Sequence, residues 1–151
     1  MSAAGLYRAL GLDGYRVLDK WHSESEGVVR VLVEVPRELL RCRACGFSRV
    51  HVHERATRSW QSAPLGLTRV EIVMSSPRVK CLNCQAKTWH QPAFANGQRR
   101  ITKSFELFLE QQLTRLTIQD VVETYGLSWN TVCEIDIARL KKLVRPKLSS
   151  L

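Results

Sequence analysis

The sequence predicts an α+β chain, with a β-rich part over residues 1–95, a basic connection over 96–103 and an all-α part over 104–151. Three observations predict it. In the first part the apolar period is two, as in the β-branched runs YRVLDKW (15–21) and VVRVLVEV (28–35). After Pro92, Asn96 and Gly97 the period becomes about 3.6, carried by Phe105, Phe108, Leu109, Leu113 and Leu116. Two Cys-x-x-Cys turns, RCRACGFSR (41–49) and KCLNCQ (80–85), punctuate the β-rich part alone.

Taken in chain order, residues 15–21 and 28–35 read as a hairpin closed by the polar turn HSESEG. The first Cys-x-x-Cys turn follows, and then a looped basic stretch. LTRVEIVMSSPRVK (67–80) reads as a second hairpin with Pro77 near its turn, ahead of the second Cys-x-x-Cys. No βαβ pattern surrounds either cysteine pair, which argues against a thioredoxin-like redox site. No apolar core with a basic flank marks a signal peptide, and no run approaches the roughly 18 apolar residues of a membrane span. A soluble, cytoplasmic chain keeps its thiols reduced, so a disulfide framework is disfavoured. What remains is tetrahedral zinc: Cys42, Cys45, Cys81 and Cys84 supply four thiolates for one structural Zn2+ in zinc-ribbon-like knuckles. Gly46 suits the tight turn behind the first pair. A β module this small has little core, and a metal adds the missing stability.

Other ligands are less fitting. His51 and His53 alternate as on a strand and could assist the metal, although four cysteines already close a structural site and surface histidines are the plainer reading. His22 and His90 read the same way, and Cys133 reads as a small buried hydrophobe.

In the all-α part, Thr102 or Ser104 is available to cap a first helix. TIQDVVETYGLSWNTVCEID (117–136) has the layout of a DNA-binding helix-turn-helix. Thr117 and Asp120 have capping-box spacing, with Asp for the usual Glu or Gln. Gly126 falls where the turn needs positive φ, Leu127 plugs the corner, Ser128 caps the second helix, and Val132 and Ile135 face the first. The apolar face of 105–116 either packs on 132–144 or offers a homodimer interface.

Charge sits where an anionic partner would use it. The net charge is +9, yet residues 1–40 and 104–151 are near balance, whereas 41–103 carry 12 basic and 2 acidic side chains. Such a lopsided run exceeds an ordinary solvated face, and phosphate is its natural counter-charge. Double-stranded DNA is thus the expected partner, with no membrane and no small-molecule substrate. Ser128, Trp129, Asn130 and Thr131, at the start of the second helix, are candidates to face base edges. Arg49, Arg55, Arg58, Arg99, Arg100 and Lys103 are candidates for phosphates. Arg139, Lys141, Lys142, Arg145 and Lys147 form a further basic run.

LYRALGLDGYRVLD before a strand, CRACG with histidines soon after, APLG, PRVKCLNCQAKTW, ITKSFELFLEQQL and then the helix pair follow one another in a familiar order. Over nearly the whole chain, that order resembles insertion-sequence transposases of the ISL-three group. The resemblance implies that the four cysteines are zinc ligands, that residues 117–136 are DNA-binding helices and that the site is the element's terminal inverted repeats. It also implies a later catalytic domain, a ribonuclease-H-like fold with an Asp/Asp/Glu triad. This chain stops at Leu151, before any such region, so it is expected to be the non-enzymatic DNA-binding part, cytoplasmic and nucleoid-associated when bound. Two other uses fit the same residues: a stand-alone regulator of transposition or transcription, and a zinc-stabilised adaptor for protein or RNA.

Overall fold

The computed structural model describes residues 3–148, with side chains over 4–144. The side chains of Arg145 and Lys147 therefore lie outside the described residues. The chain divides into two compact units, Met1–Ser104 and Phe105–Leu151.

The first unit opens with α1 (Ala3–Ala9) and is otherwise a five-stranded sheet: β1 (Arg16–Ser23), β2 (Val28–Glu34), β3 (Val50–Leu65), β4 (Thr68–Cys81) and β5 (Lys87–Trp89). β1 and β2 form the expected antiparallel hairpin. From β2 the chain makes one 3-10 turn (Arg37–Leu39), passes the first cysteine pair and runs out along the far edge as β3. It then returns as β4 between β3 and β2, giving the order β1-β2-β4-β3, with β4 parallel to β2 and antiparallel to β3. β5 pairs with β4 at Arg78–Lys80. Alternate residues of β2 and β4 point into the core, among them Val31, Val33, Val70, Ile72 and Met74; the alternation slips by one at Ser76–Pro77, after which Val79 and Cys81 are the buried ones. Trp60, Phe94, Leu12 and the sulfur-bearing Cys42 and Cys81 complete it.

Two expectations are corrected here. The run 67–80 does not form a hairpin of its own: Thr68–Cys81 is one continuous strand, and the supposed basic loop before it is its partner β3. The actual hairpin turn is Gly66–Leu67, since Leu65 pairs with Thr68 and Gly66 takes φ 62°. This is the glycine-first order that two-residue hairpins favour. Pro77 lies inside β4, opposite Arg55. It has no N–H to donate, but its carbonyl accepts from the His90 N–H at 2.9 Å. The basic stretch 96–103 makes its own contacts within the first unit. Ile101 bridges to Gln61, Thr102 to Ala95, and both Ile101 and Thr102 are buried.

The second unit contains most of α2 (Lys103–Gln112), then α3 (Ile118–Tyr125) and α4 (Trp129–Leu148). Phe105 and Leu109 are fully buried, and Tyr125 meets Phe105 and Phe108 edge-on at 5.9 and 5.5 Å. Burial removes this α2 face as a ready dimer surface, and Leu116 at its end is exposed. Val121 of α3 and Val132 and Ile135 of α4 are buried. Glu110 on α2 pairs with Lys142 on α4 at 2.8 Å. Ile137, Leu140 and Val144 leave an exposed apolar stripe on α4, and Cys133 is half-buried. No helix among the described residues is long and apolar enough to cross a membrane.

Candidate metal centre and nucleic-acid interface

The β3–β4 register builds the metal centre. Val50 pairs with Cys81, so the turn entering β3 and the turn leaving β4 come to the same end of the sheet. There the two Cys-x-x-Cys segments fold alike. The Cys42 N–H donates to the Phe47 carbonyl at 3.0 Å, and the Cys81 N–H to the Ala86 carbonyl at 2.9 Å, five residues on in each case. The residue after each second cysteine is left-handed, Gly46 at φ 76° and Gln85 at φ 64°. Backbone N–H groups then converge on sulfur: those of Asn83 and Cys84 lie 3.3 and 3.4 Å from the Cys81 Sγ. The Cys45 and Ala44 N–H groups do the same for Cys42.

The four sulfurs lie within 4.8 Å of one another, with Cys42–Cys84 at 3.6 Å and Cys45–Cys81 at 3.5 Å. All are free thiols, far beyond disulfide length. Tetrahedral thiolates about 2.3 Å from a zinc ion stand about 3.8 Å apart, so the set fits one structural zinc. Four protein ligands leave no open position for a substrate, and the metal's role there is to tie the two turns together. The Phe47 N–H holds the Cys45 thiol down to about 6. For Cys84 the Ala86 N–H also pulls downward, but hydrogen bonds with Cys42, burial, and bonds with Cys45 and Cys81 push it up to about 12. A cation would release that proton.

The histidines stay outside. His51 and His53 are exposed on β3, and the four cysteines alone form the metal-competent group among the described residues. His90 instead bonds the Tyr15 hydroxyl at 2.8 Å, and burial followed by the Arg43 charge lowers its pKa.

Residues 38–84, which span both cysteine pairs, match the family model described as the zinc finger of the transposases IS204/IS1001/IS1096/IS1165. That stretch is thus similar to a transposase zinc ribbon. Beyond the ribbon, the chain is similar to the transposase for insertion sequence element IS1001 of Bordetella parapertussis, 26% identical over 136 residues. That alignment takes in 89% of this chain and 34% of the relative, so the chain spans about a third of the relative's length. No solved structure matches the chain.

Downstream of the ribbon, α3 and α4 are joined by a short, fully specified turn. The Thr117 hydroxyl accepts from the Asp120 N–H at 3.1 Å, and the Thr117 N–H donates to the Asp120 carboxylate at 3.0 Å, a reciprocal capping box. Gly126 ends α3 at φ 66°, ψ 36°. Ser128 opens α4, its Oγ accepting from the Thr131 N–H at 3.2 Å and lying 2.8 Å from the Thr131 hydroxyl. Ser128 and Thr131 are thus engaged with each other, while Trp129, 49% exposed, and Asn130 stand open to solvent.

The basic candidates are dispersed. Arg49 lies just before β3, beside Arg37 and Arg41 of the preceding turn. Arg55 reaches the Ser75 carbonyl at 3.5 Å, and Lys103 is exposed at the start of α2. Arg99 is half-buried, its backbone N–H bonding Asn96. Arg58 and Arg100 are brought together, and Arg43, which sequence reasoning passed over, joins them in one cavity. The signal that could have found it was its place inside the first knuckle, between two metal ligands.

Proposed function

We propose that this chain is the DNA-binding part of an insertion-sequence transposase and recognises the terminal inverted repeats of its element. The carrying observation is the turn between α3 and α4: a capped helix, a left-handed glycine and a second capped helix whose first residues are solvent-open. These features support reading the pair as a helix-turn-helix, a motif whose second helix enters the major groove by its N-terminal end. On this reading Ser128 and Thr131 fix the helix start while Trp129 and Asn130 face the groove. Asn130 fits a bidentate contact to adenine, worth about 1–3 kcal/mol of discrimination. Arg49, Arg55, Arg58, Arg99, Arg100 and Lys103 meet phosphates, which position without specifying. Strand transfer belongs to the larger part of the transposase that this chain does not span.

Helix-turn-helix proteins commonly read paired half-sites as dimers. With the α2 face buried, the surface left for a second copy is the α4 stripe of Ile137, Leu140 and Val144, at heptad spacing. Sedimentation that finds only monomer at tens of micromolar, with and without DNA, would remove this dimer.

Selection of bound duplexes from a random pool tests the main reading. It should yield a defined site, and Asn130→Ala should lower affinity for that site while barely changing binding to random duplex. An intact preference in Asn130→Ala would mean that this helix does not read bases.

A further inference from the structure

A second feature of the first unit lies away from the sulfurs. Arg58 projects from β3 across the ring of Trp89 on β5, with its guanidinium carbon 4.3 Å from the ring centroid. Arg100 lies over the ring of Trp60 at 5.6 Å. With Arg43 they line a single cavity of about 370 Å3. Burial, then the neighbouring Arg100 charge, lowers the Arg58 pKa, the mark of a cation held against its preference. Among the described residues none of the three arginines has a carboxylate partner. Glu71, which lies beside Arg58 and Arg100, is engaged by Arg30 at 3.1 Å and reached by Arg69 at 3.9 Å.

Three guanidiniums around one cavity without an acid make a site for an anion. Stacking on indole fixes two of them before any ligand arrives, so little side-chain freedom is lost on binding. The planar fork of arginine matches phosphate oxygens two at a time. The cavity is larger than a phosphate alone and leaves room for the sugar attached to it.

We propose that this cleft is a phosphate clamp, in which Arg58, Arg100 and Arg43 hold one backbone phosphate of bound DNA and give the zinc-bearing unit its own anchor on the strand. The clamp rests on the DNA-binding reading for the source of its phosphate. It also ranks the basic residues, which that reading leaves equal: Arg43 joins them, and Arg55, outside the cavity, matters less.

The test uses the zinc-loaded full chain, labelled with nitrogen-15. Its 4 tryptophans, Trp21, Trp60, Trp89 and Trp129, each give an indole N–H signal. Inorganic phosphate added at constant ionic strength should move the Trp60 and Trp89 signals saturably and leave Trp21 and Trp129 in place. Arg58→Gln with Arg100→Gln should weaken that response about tenfold or more, whereas Arg16→Gln, outside the cavity and paired with Glu34 on the β1–β2 hairpin, should leave it unchanged. Retained zinc and unmoved Trp21 and Trp129 signals in the double variant show that it is folded. On random duplex the double variant should flatten the dependence of log affinity on log salt by about 1.8, about 0.9 for each arginine charge withdrawn from the DNA. No phosphate response, or an equal one in the folded double variant, overturns the site. Duplex binding with an unchanged slope overturns the clamp but leaves the proposed function standing. A phosphate response from a wild-type chain that binds no duplex overturns both the DNA source of the phosphate and the proposed function.

Discussion

Replacing Cys84 by serine should remove the metal and, with it, the order at one end of the sheet. Structural zinc in small domains binds with roughly 10–16 kcal/mol of apparent free energy near neutral pH, and that energy is shared with folding. Divided evenly among four thiolates, the loss of one lowers zinc affinity by about 100- to 1000-fold. Serine does not replace the thiolate, because its hydroxyl stays protonated. The structural consequence follows from the register. Cys42, Cys81, Val50 and Val79 are buried together at the end of the β3–β4 ladder. Without the cation, this end keeps the ladder, the β5 pairing and the knuckles' backbone hydrogen bonds, but its three sulfurs must keep protons or repel. Dialysis against a chelator of micromolar zinc affinity, followed by metal analysis, should give one zinc per wild-type chain and none per Cys84→Ser chain. Cys133→Ser should behave as wild type. Full zinc in Cys84→Ser would refute the four-cysteine site, and zinc lost instead in His51→Ala or His53→Ala would move it to the histidines.

Three further outcomes are expected. Gln85→Gly should stabilise the zinc-loaded chain by about 0.5–1 kcal/mol in thermal or chelator titrations, because a left-handed non-glycine residue costs about 1–2 kcal/mol and glycine returns about half of that through the unfolded chain; no change would mean that the knuckle tolerates the conformation freely. Zinc uptake by the metal-free chain at pH 7 should release protons, since Cys84 sits at about 12, and the affinity should fall more steeply below about pH 6, where Cys45 is protonated as well; uptake without proton release contradicts this. Thr117→Ala should cost about 0.5–2 kcal/mol through the lost cap. Hydrogen bonds from the Thr117 hydroxyl and N–H hold the Asp120 carboxyl below its usual range, so their stabilisation is full above about pH 4 and lost as pH falls through the lower folded value. The acid limb of a pH–stability curve should accordingly be shallower in Thr117→Ala.

What was legible in the sequence was what is decided locally. The capping box, the left-handed Gly126 and the Ser128 cap each depend on residues within one turn of themselves, and all three stand as read. The cysteine spacing was enough for the metal set because each knuckle closes on its own backbone. β3 was illegible for the opposite reason. Between His53 and Ser59 every residue but Ala56 is polar, so no alternation betrays a strand, and its conformation is imposed by pairing with β4. Pro77 misled by suggesting a turn, although its carbonyl still serves β5 and its missing N–H is tolerated opposite Arg55. The Arg58–Trp89 stack, between residues 31 positions apart, depends on the same unseen pairing. Gln85 hid the likeness of the two knuckles, because the left-handed position that Gly46 advertises is filled there by a residue with no such habit.

The hairpin of β3 and β4 is fastened at both ends, by peptide at Gly66–Leu67 and by sulfur and metal at Cys42–Cys84. In effect the ribbon is a covalent-and-coordinate ring, and its peptide corner is the vulnerable one, since Leu67 is wholly exposed. A protease that nicks the corner would therefore not take the sheet apart. The two pieces should travel as one particle on gel filtration while zinc is present, and separate when a chelator opens the other clasp.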